Sequence, residues 1–280
     1  MTDVELAGDE YGPADGSGVL LFHGGGQTRH SWKNAAATLG ERGFHAVSYD
    51  LRGHGESDWS PDGEYGTDRF AGDVRELARS QPSPPALVGA SLGGLSSMIA
   101  IAEADPADPP VASALVLVDV APRLESEGVG KISSFMLSGV NGFDTLEDVA
   151  DAISAYNPNR ARPKDLSGLR KNVRQRADGR WVWHWDPQFL RPRLVDGLAD
   201  GDRHYVHEER LSAAARRITV PTLLVRGKES DVLSEDGARH LLSLIPHAEY
   251  ADVSGAGHMV AGDRNDWFND AVVEFLARVR

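Results

Sequence analysis

Ser91 stands in Val88-Gly89-Ala90-Ser91-Leu92-Gly93-Gly94, directly behind the apolar run Pro85-Ala86-Leu87-Val88 and ahead of a helix-like run from Leu95 to Glu103. No other stretch restricts the fold as strongly. A strand can turn into a helix this tightly only if the turn residue takes strained backbone angles and the residues two before and two after it lack bulk. The same turn lifts the Ser91 hydroxyl clear of the sheet. It also sets the Leu92 amide at a helix N-terminus, where an N–H without an intrahelical acceptor can meet a developing negative charge. The chain has 30 glycines in 280 residues, so the spacing alone is a weak signal. The strand before it and the helix after it give it weight.

The rest of the chain repeats that alternation. Gly18 to His23, Phe44 to Asp50, Ser113 to Asp119, Val220 to Gly227 and Ala248 to Val253 read as strands. Ser31 to Glu41, Thr67 to Ser80, Glu235 to Leu244 and Asn265 to Arg278 read as helices. The class is therefore α/β, with a doubly wound, mostly parallel sheet covered on both faces. The rhythm breaks after Pro122. From Arg123 to about Tyr205 no buried strand is evident. Thr145 is placed to cap a helix whose first turn carries Glu147 and Asp148, and Asp165 to Gln175 reads as a second helix. Residues 1–122 and 207–280 are thus expected to form the core, with 123–206 inserted as a helical cap.

Composition removes several function classes. The net charge is −13, from 42 acidic and 29 basic residues, which disfavours nucleic acid and anionic membranes as partners. No apolar run is long enough to span a bilayer. There is no cysteine, hence no disulfide, thiol nucleophile or cysteine metal site. The N-terminal residues Met1 to Glu5 lack the basic and apolar regions of a signal peptide, so a cytoplasmic location is expected.

A serine hydroxyl is a poor nucleophile near neutral pH. It needs a base to take its proton and a third group to fix that base's tautomer. Both partners should follow other strands at the same sheet edge. His258, in Gly255-Ala256-Gly257-His258, lies between the last strand and the last helix and is the expected base. Asp231, in Gly227-Lys228-Glu229-Ser230-Asp231, is the preferred acid. Asp119, which also ends a strand, is the alternative, and Glu229 is weaker. The order Ser, Asp, His is the one that accompanies a serine on such a turn. His23-Gly24-Gly25-Gly26 follows the first core strand, and the Gly25 amide is expected to join that of Leu92 as an oxyanion donor. No Lys-Ser or Lys-Thr closes this glycine run, which argues against a phosphate loop. His23 is read as a brace for the loop, and Arg52 as holding the Asp50 to Ser57 loop by an ion pair.

Five segments together carry a resemblance: His23-Gly24-Gly25 with Trp32 downstream, Asp50-Leu51-Arg52-Gly53-His54-Gly55-Glu56-Ser57, the Ser91 turn, Gly227 to Asp231, and Gly257-His258. In these the chain resembles the α/β-hydrolase superfamily, in particular its lidded branch of epoxide hydrolases, haloalkane dehalogenases, carbon–carbon bond hydrolases and small esterases. The resemblance implies the α/β-hydrolase fold with the cap at 123–206. One departure matters. Epoxide hydrolases and haloalkane dehalogenases carry an aspartate where this chain has Ser91, and a serine forms an acyl-enzyme from a carbonyl substrate instead. The expected activity is therefore hydrolysis of a small-to-medium apolar carboxylic ester or lactone, with no metal and no organic cofactor. A carbon–carbon bond hydrolase, a cofactor-free perhydrolase or haloperoxidase, and a non-catalytic small-ligand receptor are the alternatives. The cap should wall the substrate pocket with Trp181, Trp183, Trp185, Phe135 and Met136, and the base's neighbour Met259 should join them. The tryptophans serve equally well to glue the cap to the core.

Overall fold

The structure is a computed structural model that describes residues 4–157, 162, 165–190, 208–258 and 265–280, the side chains of 265–269 excepted. The chain opens with β1 (Gly8–Tyr11), β2 (Ser17–Phe22), α1 (Lys33–Glu41), β3 (Phe44–Tyr49) and α2 (Thr67–Arg79). It continues through β4 (Ala86–Ala90), α3 (Leu92–Ala102) and β5 (Ala114–Val118). The inserted segment contributes α4 (Ser126–Ser138), α5 (Leu146–Tyr156), β6 (Val173–Gln175) and β7 (Trp181–Trp183). The chain ends with α6 (Glu208–Arg216), β8 (Thr222–Gly227), α7 (Glu235–Leu244), β9 (Glu249–Val253) and α8 (Asn265–Val279).

Seven strands form one sheet in the order β1-β3-β2-β4-β5-β8-β9. All neighbours are parallel except β1, which pairs antiparallel with β3 at one edge. The register explains the continuous apolar runs. Leu21, Val88, Val116 and Leu223 lie in one row across four strands. They face a cluster completed by Trp32 just before α1, by Leu39 in α1, and by Val272 and Leu276 from α8. The next row, Phe22, Gly89, Leu117 and Leu224, turns the other way, towards α2, α3, α6 and α7. Successive side chains point to opposite faces, so a strand covered on both must be apolar throughout.

The sheet is doubly wound, as the alternation requires, but the inserted segment differs from its expected form. Thr145 does cap α5: its side chain accepts from the Asp148 N–H, and the Asp148 carboxylate accepts from the Thr145 N–H. The helix expected over Asp165 to Gln175 is instead a short 3₁₀ turn, Ser167–Lys171, that runs into a hairpin. Trp181-Val182-Trp183 alternates with period two because it is a strand paired with Val173–Gln175, and Gly179 supplies the positive φ at the turn. The apolar side of this segment, with Met136, Val149 and Trp183, is continuous with the core cluster on the α3 face. Among the described residues no helix is long and apolar enough to cross a membrane.

Candidate active site

Ser91 joins β4 to α3 with φ 45° and ψ −114°. A non-glycine residue held there costs about 1–3 kcal/mol, so its surroundings must fix it. The Ser91 N–H donates to the Val118 carbonyl at 3.2 Å, the Leu95 N–H donates to the Ser91 carbonyl at 3.0 Å, and the Gly93 N–H donates to the His23 carbonyl at 3.2 Å. Bulk is excluded on both flanks. A Cβ on Gly89 would lie 2.5 Å from the Gly93 backbone, and one on Gly93 would lie 2.4 Å from the Phe22 carbonyl oxygen. The flanking glycines are thus a steric condition for bringing β4, α3 and β2 together.

The structure pairs His258 with Asp119 and not with Asp231. His258 Nδ1 and Asp119 Oδ2 are 2.7 Å apart, with Asp119 fully buried. Asp231 points outward: its side chain is 51% exposed and pairs with Lys131 of α4 at 3.0 Å. Asp119 follows β5, the neighbour of β8, with φ 51°, and its carboxylate meets groups from the loops after β8 and β9. The Gly227 N–H donates to its Oδ1 at 3.0 Å, and the Ser230 hydroxyl donates to Oδ2 at 2.5 Å. Three donors therefore hold one carboxylate, the His258 ring among them. Ser230 was not singled out from the sequence. Its oxygen also accepts the Val232 and Leu233 N–H groups at 3.1 Å, so it ties the loop after β8 to Asp119. The only sequence hint was its place in the same pentapeptide as Asp231.

The glycine loop lies against the serine, since a Cβ on Gly24 would be 3.3 Å from the Ser91 Cβ. Its amides are differently engaged. The Gly24 N–H donates to Gln27 Oε1 at 3.1 Å, and the Gly26 N–H donates to His54 Nε2 at 3.1 Å. Among the described residues no hydrogen bond engages the Gly25 N–H, and Leu92, as the first residue of α3, has no intrahelical acceptor. These two are the amides expected as oxyanion donors.

Buried histidines brace this loop. His23 accepts the Leu51 N–H on Nε2 at 3.0 Å, so Nδ1 carries the proton and donates to the Gly24 carbonyl at 2.7 Å. His54 repeats the tautomer, with Nδ1 donating to the Arg52 carbonyl at 3.0 Å. His184, from the inserted segment, accepts the Gly55 N–H on Nδ1 at 2.7 Å. Burial first, and then the neighbouring His23 ring, pushes His54 down to about 3. Burial likewise lowers His23 and His184. Below the ordinary histidine value of 6.5 the unfolded chain takes up protons that the native chain refuses. Through His54, stability therefore falls as pH drops from about 6.5 towards 3, with a slope approaching ~1.4 kcal/mol per pH unit, and His23 and His184 act in the same direction. Chemical denaturation is expected to give an unfolding free energy at least about 2 kcal/mol lower at pH 5 than at pH 7. Equal values would refute this reading.

Ser91 and His258 open on a cavity of about 530 Å³ between the sheet edge and the inserted segment. Gly25, Leu92, Phe135, Met136 and Trp183 line it. Trp181 and Trp185 do not. Trp181 is covered by the Arg170 guanidinium 4.9 Å above its ring and pairs with Phe143 through the backbone. Trp185 stacks on Trp183 at 4.9 Å, behind the wall rather than in it. Met259 lies outside the described residues. Phe189, missed in the sequence, packs edge-on to His54 and comes within 3.6 Å of a Cβ built on Gly25.

Known proteins carry the same architecture. The profile of the alpha/beta hydrolase family matches residues 19–271. The chain is 31% identical over 258 residues to the esterase Rv0045c of Mycobacterium tuberculosis, covering 88% of this chain and 78% of that protein. It is 29% identical over 249 residues to 2-(acetamidomethylene)succinate hydrolase of Mesorhizobium japonicum, covering 88% and 83%. A crystal structure of E-2-(acetamidomethylene)succinate hydrolase superposes with a TM-score of 0.81 at 24% identity, over 98% of this chain and 96% of that one. A structure of the M. tuberculosis esterase gives 0.72 at 26% identity, over 99% and 91%. With its parallel sheet, its strained serine turn and a family profile that spans nearly the whole chain, this protein belongs to the alpha/beta hydrolase family and is an α/β-fold hydrolase.

Proposed function

We propose that this hydrolase cleaves carboxylic esters through an acyl-enzyme on Ser91, beneath a cap formed by residues 123–206. The observation that carries this reading is the 2.7 Å contact between His258 Nδ1 and the buried Asp119 carboxylate, in a cavity that His258 shares with Ser91. With Nδ1–H directed at Asp119, the proton-free Nε2 is left to act as base. It takes the Ser91 proton as the oxygen attacks the carbonyl carbon. The negative charge moves onto the carbonyl oxygen, between the Gly25 and Leu92 N–H groups. His258 returns the proton to the leaving alcohol. Water, activated by the same ring, then frees the acid and restores Ser91. The esterase name of one relative supports the substrate class, and the serine at the turn supports acyl over alkyl chemistry.

A fluorophosphonate probe tests this. Peptide mapping is expected to find the adduct on Ser91 in the wild type and none in Ser91→Ala or His258→Ala. If a 4-nitrophenyl ester is hydrolysed equally slowly by wild type and Ser91→Ala, the cavity serves binding rather than catalysis.

A further inference from the structure

The charge on the cavity wall runs against the charge of the chain. The sequence has 42 acidic and 29 basic residues, yet among the described residues the wall contains no Asp or Glu. It does contain two of the chain's five lysines, Lys33 and Lys171. They come from opposite sides. Lys33 is the first residue of α1, beyond the glycine loop, and Lys171 ends the 3₁₀ turn of the inserted segment. Both are exposed at the cavity mouth. Among the described residues neither forms an ion pair or hydrogen bond, nor do the side-chain amides of Asn34 and Asn172 beside them. Asp165, six residues before Lys171, accepts the Ser167 N–H and hydroxyl. Folding does not ask for a lysine at position 33. A cation in the first turn opposes the helix dipole, and α1 has no acid there to offset it. The wall also carries apolar side chains, Ile132, Phe135 and Ile153 among them.

We propose that Lys33 and Lys171 form an anion subsite, so that the substrate carries a carboxylate on an apolar spacer some way from the scissile carbonyl. This rests on the ester-hydrolase reading and narrows it. Exposed at the mouth and flanked by the side-chain amides of Asn34 and Asn172, the two ammonium groups recognise a negative tail. Their pull weakens with salt because both remain open to solvent.

Two pairs of esters test the subsite. Mono-4-nitrophenyl suberate puts the carboxylate on the acyl side, and the octanoyl ester of 6-hydroxyhexanoate puts it on the alcohol side. Each is compared with its methyl-capped neutral analogue. In at least one pair, kcat/KM is expected to favour the anionic ester by about tenfold at low salt. That ratio should collapse towards one in the double variant Lys33→Gln/Lys171→Gln and at high ionic strength, and return in Lys33→Arg/Lys171→Arg. A ratio near one in the wild type for both pairs, or a preference that survives the double Gln variant, overturns the subsite. Calorimetric titration of Ser91→Ala with monomethyl suberate separates the two readings. If the wild type hydrolyses none of the four esters, the ester reading fails by itself. Binding that is lost when the Gln pair is added to Ser91→Ala then upholds the anion subsite, and its absence overturns it.

Discussion

Asp119→Asn is expected to lower kcat for a 4-nitrophenyl ester by about 10⁴-fold with little change in KM, a loss of transition-state stabilisation of about 5 kcal/mol. The reason is directional. The carboxylate accepts the His258 Nδ1–H at 2.7 Å and is itself held by the Gly227 N–H and the Ser230 hydroxyl. An asparagine keeps the shape, but it can present an NH₂ group to the ring. The imidazole then takes the other tautomer, its Nε2 is protonated, and it cannot receive the Ser91 proton. Asp231→Asn is the matched control. Its carboxylate sits half exposed against Lys131, a surface pair worth about 0–1 kcal/mol, so the rate should stay within about fivefold of wild type. Circular dichroism and thermal melts of both variants separate a tautomer effect from unfolding. The opposite ranking, with Asp231→Asn inactive and Asp119→Asn active, would overturn the assignment of the acid.

The second large effect is on stability. Arg52 and Asp73 meet in a bidentate pair, Nε to Oδ2 and Nη2 to Oδ1, both at 2.6 Å, with side chains 2% and 1% exposed. Removing one partner strands a buried charge. Arg52→Ala is therefore expected to destabilise the fold by about 3–5 kcal/mol, which lowers the melting temperature by roughly 10 °C in a chain of this size. The double variant Arg52→Met/Asp73→Leu should recover most of that loss, because neither charge is then left buried alone. Activity should also suffer in Arg52→Ala. The Arg52 carbonyl accepts the His54 Nδ1–H, and His54 Nε2 holds the Gly26 amide, so a slack loop loosens the amides beside Gly25. A free-energy change below about 1 kcal/mol in urea denaturation would show that the pair is not what holds this loop.

How much of this was legible beforehand depended on whether the signal was local. The strands that face helices on both sides announce themselves as unbroken apolar runs, because neither face meets water. The Ser91 turn announces itself because backbone crowding forbids any flanking side chain. Thr145 and Asp148 read as a helix start because the capping hydrogen bonds span only three residues. The hairpin β6–β7 was hidden. Three-residue strands bury too little to set a pattern, and the alternating tryptophans span too few residues to fix a period. β1 was hidden for a related reason: it is a short edge strand, Gly-Asp-Glu-Tyr, with few apolar residues to mark it.

The order of residues by itself determined a doubly wound sheet, a serine on the tight turn after β4, and a histidine on the loop after β9, since each follows from local sterics and hydrophobic period. Which aspartate meets that histidine was decided only in three dimensions. Asp119 and Asp231 both follow strands at the same sheet edge, and chain position does not say where a carboxylate points. The left-handed turn at Asp119 aims it between two neighbouring loops, while a lysine from the inserted segment holds Asp231 at the surface. A hydrogen bond depends on distance and direction, and here both are set by packing between segments far apart in the chain.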